Sequence, residues 1–256
     1  NKQEKEIMEG AEKSSLFQKY LASKNIQAVS SRRTILHMQD AVEQLRLIGE
    51  FHKKAAGYRQ YDNEGLRDNL GRNVEKYKSD IKRLKRLLYD IKNQGAENAF
   101  EEVLYNTGSQ VKALAEKAVT VSCNDKYLDI IKRSMERVEI CIGNPFYDNL
   151  YSEGNILQCG IENCVYDLVE SDCVVFIRRL RRKGIEVDQD FLIKEFCRIE
   201  ELDSYSVEYI SSLMQYPYYL IKMCIRYKEH KKAMSPEAYL DKYRKAIKFD
   251  GIKMRL

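Results

Sequence analysis

The sequence predicts a mainly α-helical fold with one small β region. Three observations carry that prediction. Only three prolines and twelve glycines occur among 256 residues, too few chain-breakers for a sheet built on many tight turns. Apolar residues recur at spacings of three and four along most of the chain, the period of a helix with one buried face. Short apolar runs separated by a turn are confined to residues 138–159, where Ser152-Glu153-Gly154-Asn155 reads as a hairpin turn.

Taken in order, residues 1–14 are polar and rich in Lys and Glu, so a frayed helix or disordered lead-in is expected. Leu16, Phe17, Tyr20 and Leu21 mark a short helix running to about Ile26. Ser30-Ser31-Arg32-Arg33-Thr34 is a polar break that can cap the next element. Ala41, Leu45, Ile48, His52 and Ala55 then share one helical face, and Gly57 closes it as a C-cap would. His52 lies on that stripe beside Phe51 and reads as a hydrogen-bonded core histidine rather than a catalytic one.

Residues 58–71 form a polar loop. A long helix follows through Tyr77, Ile81, Leu84, Leu88 and Ile91, with Lys82, Arg83, Lys85 and Arg86 on its other faces. Such a basic face is ordinarily the solvated side of an amphipathic helix; contact with a phosphate backbone is the alternative. A helix over 97–118 carries Phe100, Leu104, Val111 and Leu114, and Asn106-Thr107-Gly108 is expected to kink or split it. Another spans 124–137 through Tyr127, Ile130, Ile131 and Met135, with Asn124 and Asp125 as N-cap candidates. The β segments are 138–142, 149–151 and 156–159.

From Asp167 onward the pattern is helical. Arg178-Arg179-Leu180-Arg181-Arg182-Lys183 reads as the basic C-terminal end of a helix, where cations favour the carbonyl end of the dipole, and Gly184 follows it; binding of an acidic partner or a nucleic acid is the alternative. Phe191 to Arg198 is amphipathic. Asp203 and Ser204 open a helix to Tyr216, where Pro217 interrupts, and Leu220, Met223, Cys224 and Tyr227 resume the stripe. Ser235-Pro236-Glu237 starts the last helix with a capping serine and a proline in its first turn. Two units are expected: an N-terminal helical segment, 1–40, and a helical body, 41–256.

Composition narrows the function classes. With 44% hydrophobic and 32% charged residues the chain can bury a core. A net charge of +5, from 44 basic and 39 acidic residues, is a mild excess that makes a dedicated nucleic-acid binder unexpected. Seven cysteines, none in a C-x-x-C pair, suit reduced thiols. No membrane partner and no secretory leader are expected.

The chemistry-bearing stretch is Ile142-Gly143-Asn144-Pro145-Phe146-Tyr147-Asp148-Asn149. It resembles the H-G-D-x-x-x-x-N catalytic loop of the aminoglycoside and choline kinase superfamily, with Ile142 in place of His and Asn144 in place of Asp. Downstream, Cys164-Val165-Tyr166-Asp167, then Asp172, then Phe176-Ile177-Arg178-Arg179 resemble the signature of CotS-type spore coat proteins, a bacterial branch of that superfamily. The segment 49–58 resembles the family's A-E-F-H-K-A-x-x-G-Y helix end. The segment 215–220 with Arg226-Tyr227 resembles its Y-P-x-x-x-W/L and R-Y-Y motifs. The resemblance runs from about Ala41 to about Lys248.

It implies a kinase-like helical C-lobe, with the small N-lobe absent or replaced by helices. It places Asn144 at the catalytic base, Gly160 at the principal metal ligand, and Asn149 and Glu162 as remnant metal candidates. Gly143, Asp172 and His52 are expected to be architectural, Asp172 by holding backbone amides of the loop. Phosphoryl transfer needs a carboxylate base and hard oxygen ligands for Mg²⁺; Ile142, Asn144 and Gly160 supply neither. The expectation is therefore a catalytically inactive, kinase-like protein without a cofactor. It would work in spore coat assembly, in the mother-cell cytoplasm or the coat, with other coat proteins or a second copy as partners. The alternatives are a divergent small-molecule phosphotransferase using Glu162 and Asn149, and a basic helical nucleic-acid module. The resemblance also leaves Ile142, Phe146, Ile156 and Ile161 on an apolar upper surface, which Leu16, Phe17, Tyr20 and Leu21 are expected to cover in part.

Overall fold

The computed structural model of the chain describes residues 15–30, 40–59, 66–229 and 234–254. The expected lead-in over 1–14 and most of the break near Arg32 lie outside them. Ser15 opens α1 (Leu16–Ser23) with a reciprocal cap: Ser15 Oγ accepts from Gln18 N at 3.2 Å, and Gln18 Oε1 accepts from Ser15 N at 2.7 Å. The helix does not reach Ile26 as expected. Asn25 takes a left-handed conformation (φ 59°), which asparagine tolerates better than most residues. Ile26 then begins a strand, β1 (Ile26–Ala28).

α2 (Ala41–Ala55) is capped by Asp40, and Gly57 follows it at φ +83°. After β2 (Arg67–Asp68) come two long helices, α3 (Arg72–Gln94) and α4 (Ala99–Ser122). The break expected at Asn106-Thr107-Gly108 is absent. Thr107 Oγ1 donates back to Val103 O at 2.7 Å, and a Cβ on Gly108 would stand 2.2 Å from Leu88 Cδ2. Gly108 therefore marks a close approach between α3 and α4, not a kink. α5 (Tyr127–Arg137) turns Ile130 and Ser134 inward and leaves Met135, on the expected stripe, exposed. Neither Asn124 nor Asp125 is its N-cap; that position is Lys126, and Asn124 Oδ1 accepts from Lys126 N ahead of the helix.

The β segments are β3 (Ile140–Cys141), β4 (Leu150–Glu153), β5 (Ile156–Cys159) and β6 (Val165–Tyr166). β4 and β5 form the expected antiparallel hairpin, Leu150 opposite Cys159 and Glu153 opposite Ile156. β1 adds parallel to β5, giving the order β1-β5-β4, and a second sheet runs β2-β6-β3. The strands β1, β2 and β6 have two or three residues each, too short to carry a period-2 signal.

The remaining helices are α6 (Glu170–Arg182), α7 (Gln189–Ile199), α8 (Ser204–Gln215), α9 (Tyr218–Lys228) and α10 (Pro236–Asp250). The main helix packings are α3 on α4, α4 on α8 and α10, α9 on α10 and α3, α2 on α7, and α6 on α8. Aromatic pairs fill the contacts; the Tyr77 and Tyr216 rings stack with centroids 4.2 Å apart.

The N-terminal unit docks on the end of α2 and on β5. Phe17 and Leu21 are buried while Leu16 is exposed. The Phe17 and Tyr20 rings each meet Tyr58 at 5.0 Å, and Tyr20 donates to Ala56 O at 2.8 Å. Of the residues expected on the upper surface, Ile142 and Phe146 are fully buried, Ile161 is half-buried and Ile156 is exposed. No helix among the described residues is long and apolar enough to cross a membrane.

Candidate functional site

The loop 142–149 joins β3 to β4, and one carboxylate on α6 holds its start. Asp172 Oδ2 accepts from Ile142 N at 2.6 Å, and Oδ1 accepts from Gly143 N at 2.9 Å. Gly143 sits at φ +72°, and a Cβ there would stand 2.4 Å from Asn163 O, so the turn excludes a side chain. The buried Ile142 side chain packs in the core and brings only its amide to the loop.

Asp172 also faces His52 Nε2 at 3.0 Å, while His52 Nδ1 faces Glu200 Oε1 at 2.7 Å. Both ring nitrogens meet acceptors, so the imidazole is doubly protonated and donates twice. Burial opposes that cation, but Glu200 and Asp172 outweigh it and raise the pKa to about 10. One histidine thus ties α2 to α6, to the end of α7 and, through Asp172, to the loop. The ligand atoms of His52, Cys141 and Asp172 lie within 4.8 Å of one another. They make a poor metal site, because carboxylates occupy both ring nitrogens and burial pushes the Cys141 thiol well up. That thiol donates to Leu168 O at 3.0 Å instead.

The rest of the loop is organised by Arg179. Its Nη1 donates to Asn144 Oδ1, its Nη2 reaches Asp148, and its guanidinium lies over the Phe146 ring at 4.3 Å. Asn149 faces elsewhere. It is buried, its Nδ2 donates to Gly160 O at 3.0 Å, and a Cβ on Gly160 would stand 2.1 Å from its Oδ1. The exposed Glu162 reaches the same point, with Oε2 3.1 Å from that Cβ position. Asn149, Gly160 and Glu162 are therefore brought together, whereas Asn144 is engaged with Arg179.

A neutral amide at Asn144 accepts no proton near neutral pH, so it cannot serve as a general base. Gly160 offers no side-chain oxygen, and Asn149 and Glu162 provide too few hard ligands for the near-octahedral shell Mg²⁺ demands. These residues do not fit the metal-assisted phosphoryl-transfer arrangement.

Beside the loop, a cavity of about 450 Å³ opens between α6 and α9, bordered by Gly143 and Asn144. Arg178, Arg179, Arg182, Tyr218 and Lys222 form its walls. The basic run does end α6, as its sequence suggests, but the sequence did not reveal that it shares a cavity with Tyr218 and Lys222. The available signal was spacing: Ser171, Val174, Val175, Arg178, Arg179 and Arg182 follow the helical period and all line the cavity. Behind Asn73, which also lines the cavity, buried Asp167 accepts from Leu168 N at 2.9 Å and from Asn73 Nδ2 at 2.7 Å. Burial still raises its pKa to about 7.

No protein-family model and no curated protein sequence matches the chain. Among solved structures it is similar to the aminoglycoside phosphotransferase from Alicyclobacillus acidocaldarius subsp. acidocaldarius DSM 446. The TM-score is 0.67 at 12% sequence identity, over 88% of this chain and 67% of that one. At that identity the likeness shows a kinase-like phosphotransferase fold, and the fold alone.

Proposed function

We propose that this protein is a kinase-like scaffold that transfers no phosphoryl group and serves as a structural or interaction protein. The observation that carries the reading is the bond from Arg179 to Asn144. The side-chain oxygen at the base position is already the acceptor of a guanidinium, and it belongs to an amide without basicity. The support is local, because the architectural links from Asp172 to the loop and to His52 persist beside this altered chemistry.

The place of action rests on the motifs alone. Their resemblance to CotS-type spore coat proteins extends the proposal to bacterial spore coat assembly, with other coat proteins or a second copy as partners.

The test is a melting experiment with and without millimolar Mg-ATP, combined with an ATP-turnover assay. A ligand at a hundredfold excess over its Kd stabilises the native state by about 2.7 kcal/mol. The expected result is no turnover, whether or not ATP shifts the melting curve by binding alone. A clear shift together with turnover would replace this reading by that of a divergent small-molecule phosphotransferase.

A further inference from the structure

We infer that the cavity between α6 and α9 is a binding site for a small phosphate-bearing molecule. This goes beyond the reading above and stands whether or not the protein transfers phosphoryl groups.

Charge points to the ligand class. Arg178, Arg179, Arg182 and Lys222 line the cavity, and no Asp or Glu among the described residues does. Like charges gathered on one concave wall repel one another and raise the local concentration of anions. Arg178 is the central observation. It is only 8% exposed, and arginine is almost never buried without a partner of opposite charge. Yet its terminal nitrogens donate to neutral acceptors, Tyr77 Oη at 3.1 Å and Leu213 O at 2.6 Å. Those bonds use two of the five N–H donors of a guanidinium. Asp250 attracts it only at longer range, and that carboxylate already accepts from the Tyr219 and Leu220 amides at 3.1 and 2.9 Å.

Two of the other cations are uncommitted. Arg182 and Lys222 are exposed, and neither joins an ion pair among the described residues; the polar partner of Lys222 is Tyr218 Oη at 3.4 Å. Arg179 is occupied by Asn144 and Asp148, but its buried Nε has no partner.

Shape selects within the anions. Small-molecule sites run to roughly 300–1,000 Å³, and this cavity, at about 450 Å³, belongs among them. Arginine forks suit the several oxygens of a phosphate. The Arg178 guanidinium is held 4.8 Å from the Tyr218 ring centroid, which fixes a donor plane and sets an aromatic wall beside it.

The test is calorimetric titration of the full chain, at constant ionic strength, with inorganic phosphate, phenyl phosphate and phenol. Saturable binding of both phosphates and none of phenol is expected. Tighter binding of phenyl phosphate would identify an ester as the natural class, and equal affinity the free ion. Arg182→Gln/Lys222→Gln should weaken binding by about tenfold or more, since bonds to charged groups are the strong ones. Lys82→Gln/Arg86→Gln removes the same charge from the exposed face of α3 and should leave affinity unchanged. Unchanged melting curves would establish that both variants fold. Absence of saturation at about 10 mM phosphate, or equal weakening in both double variants, would overturn the assignment. So would displacement of phenyl phosphate by duplex DNA with equal sensitivity to both double variants, because the cations would then form a diffuse field.

Discussion

Asn149 fills the space that a side chain at Gly160 would need: its Oδ1 lies 2.1 Å from the position of a Cβ there, and its Nδ2 donates to Gly160 O at 3.0 Å. The absent side chain at 160 is thus built into the packing around a buried amide. Gly160→Ala should destabilise by about 1–3 kcal/mol through overpacking. Asn149→Gly should relieve part of that loss in the double variant, because the two sites share one volume. Additive losses in denaturant melts would show that Asn149 swings aside freely. Gly160→Asp is expected to fold less well and to bind no more Mg²⁺ than the parent.

Asn144→Asp should produce no phosphoryl transfer. The new carboxylate would pair with Arg179, which already contacts residue 144 and Asp148, and this pairing would lower its basicity. Turnover of ATP in that single variant would mean that the residues assigned to base and metal are not the ones that matter.

His52 gives stability a dependence on alkaline pH. Its folded pKa of about 10 stands above the ordinary 6.5. Its contribution is therefore complete below pH 6.5 and is lost as pH rises through about 10. His52→Ala should cost about 3–5 kcal/mol at neutral pH, since it strands Asp172 and Glu200 as buried, uncompensated carboxylates. It should also flatten the fall in stability between pH 6.5 and 10, as read by chemical denaturation across that range. An equally steep profile in the variant would locate the alkaline sensitivity elsewhere.

Asp167 acts in the other window. Burial raises its pKa from 3.8 to about 7, so the folded state holds a proton that the unfolded chain releases. Stability from this group is present below pH 3.8 and declines as pH rises through about 7. Asp167→Asn keeps acceptors and donors for Leu168 N and Asn73. It should therefore raise stability at pH 7.5 relative to pH 4, by up to about 4 kcal/mol. Asp172→Ala should instead lower stability at every pH, since the buried Ile142 amide and the half-buried Gly143 amide lose their acceptor, at roughly 1–3 kcal/mol for the buried one. Matching profiles for the two variants would refute the distinction.

The docking of the N-terminal unit is tested through Phe17 and Leu21, both buried. Leu21→Ala should cost about 2–5 kcal/mol, as truncation of a buried leucine does, whereas Leu16→Ala, at an exposed position, should cost almost nothing. Equal melting temperatures would show that α1 is not held against the body.

The sequence by itself determined the elements whose signals are local. The helical stripes of α2, α3 and α8, the cap at Ser235 and the hairpin between β4 and β5 depend on neighbours within a few residues, and the chain carries those neighbours in order. Gly143 and Asp172 were legible only through the resemblance of their motifs to a known family, since the contact between them spans residues far apart in the chain. Tertiary structure decided what depends on residues far apart. β1 exists because Ile26 finds Leu157 across 131 positions, counted from their paired register, and β2 and β6 have no pattern apart from their partners. Gly108 looked like a breaker and is a contact with Leu88, since a missing side chain has the same appearance in sequence whether it frees the backbone or admits a neighbour. The basic run of α6 is the helix end that its residues suggest, with Lys183 as its C-cap. Only the packing of α9 against the same side of the fold turned three of its arginines and Lys222 toward one cavity, because the sum of their charges depends on distances that the order of residues does not encode.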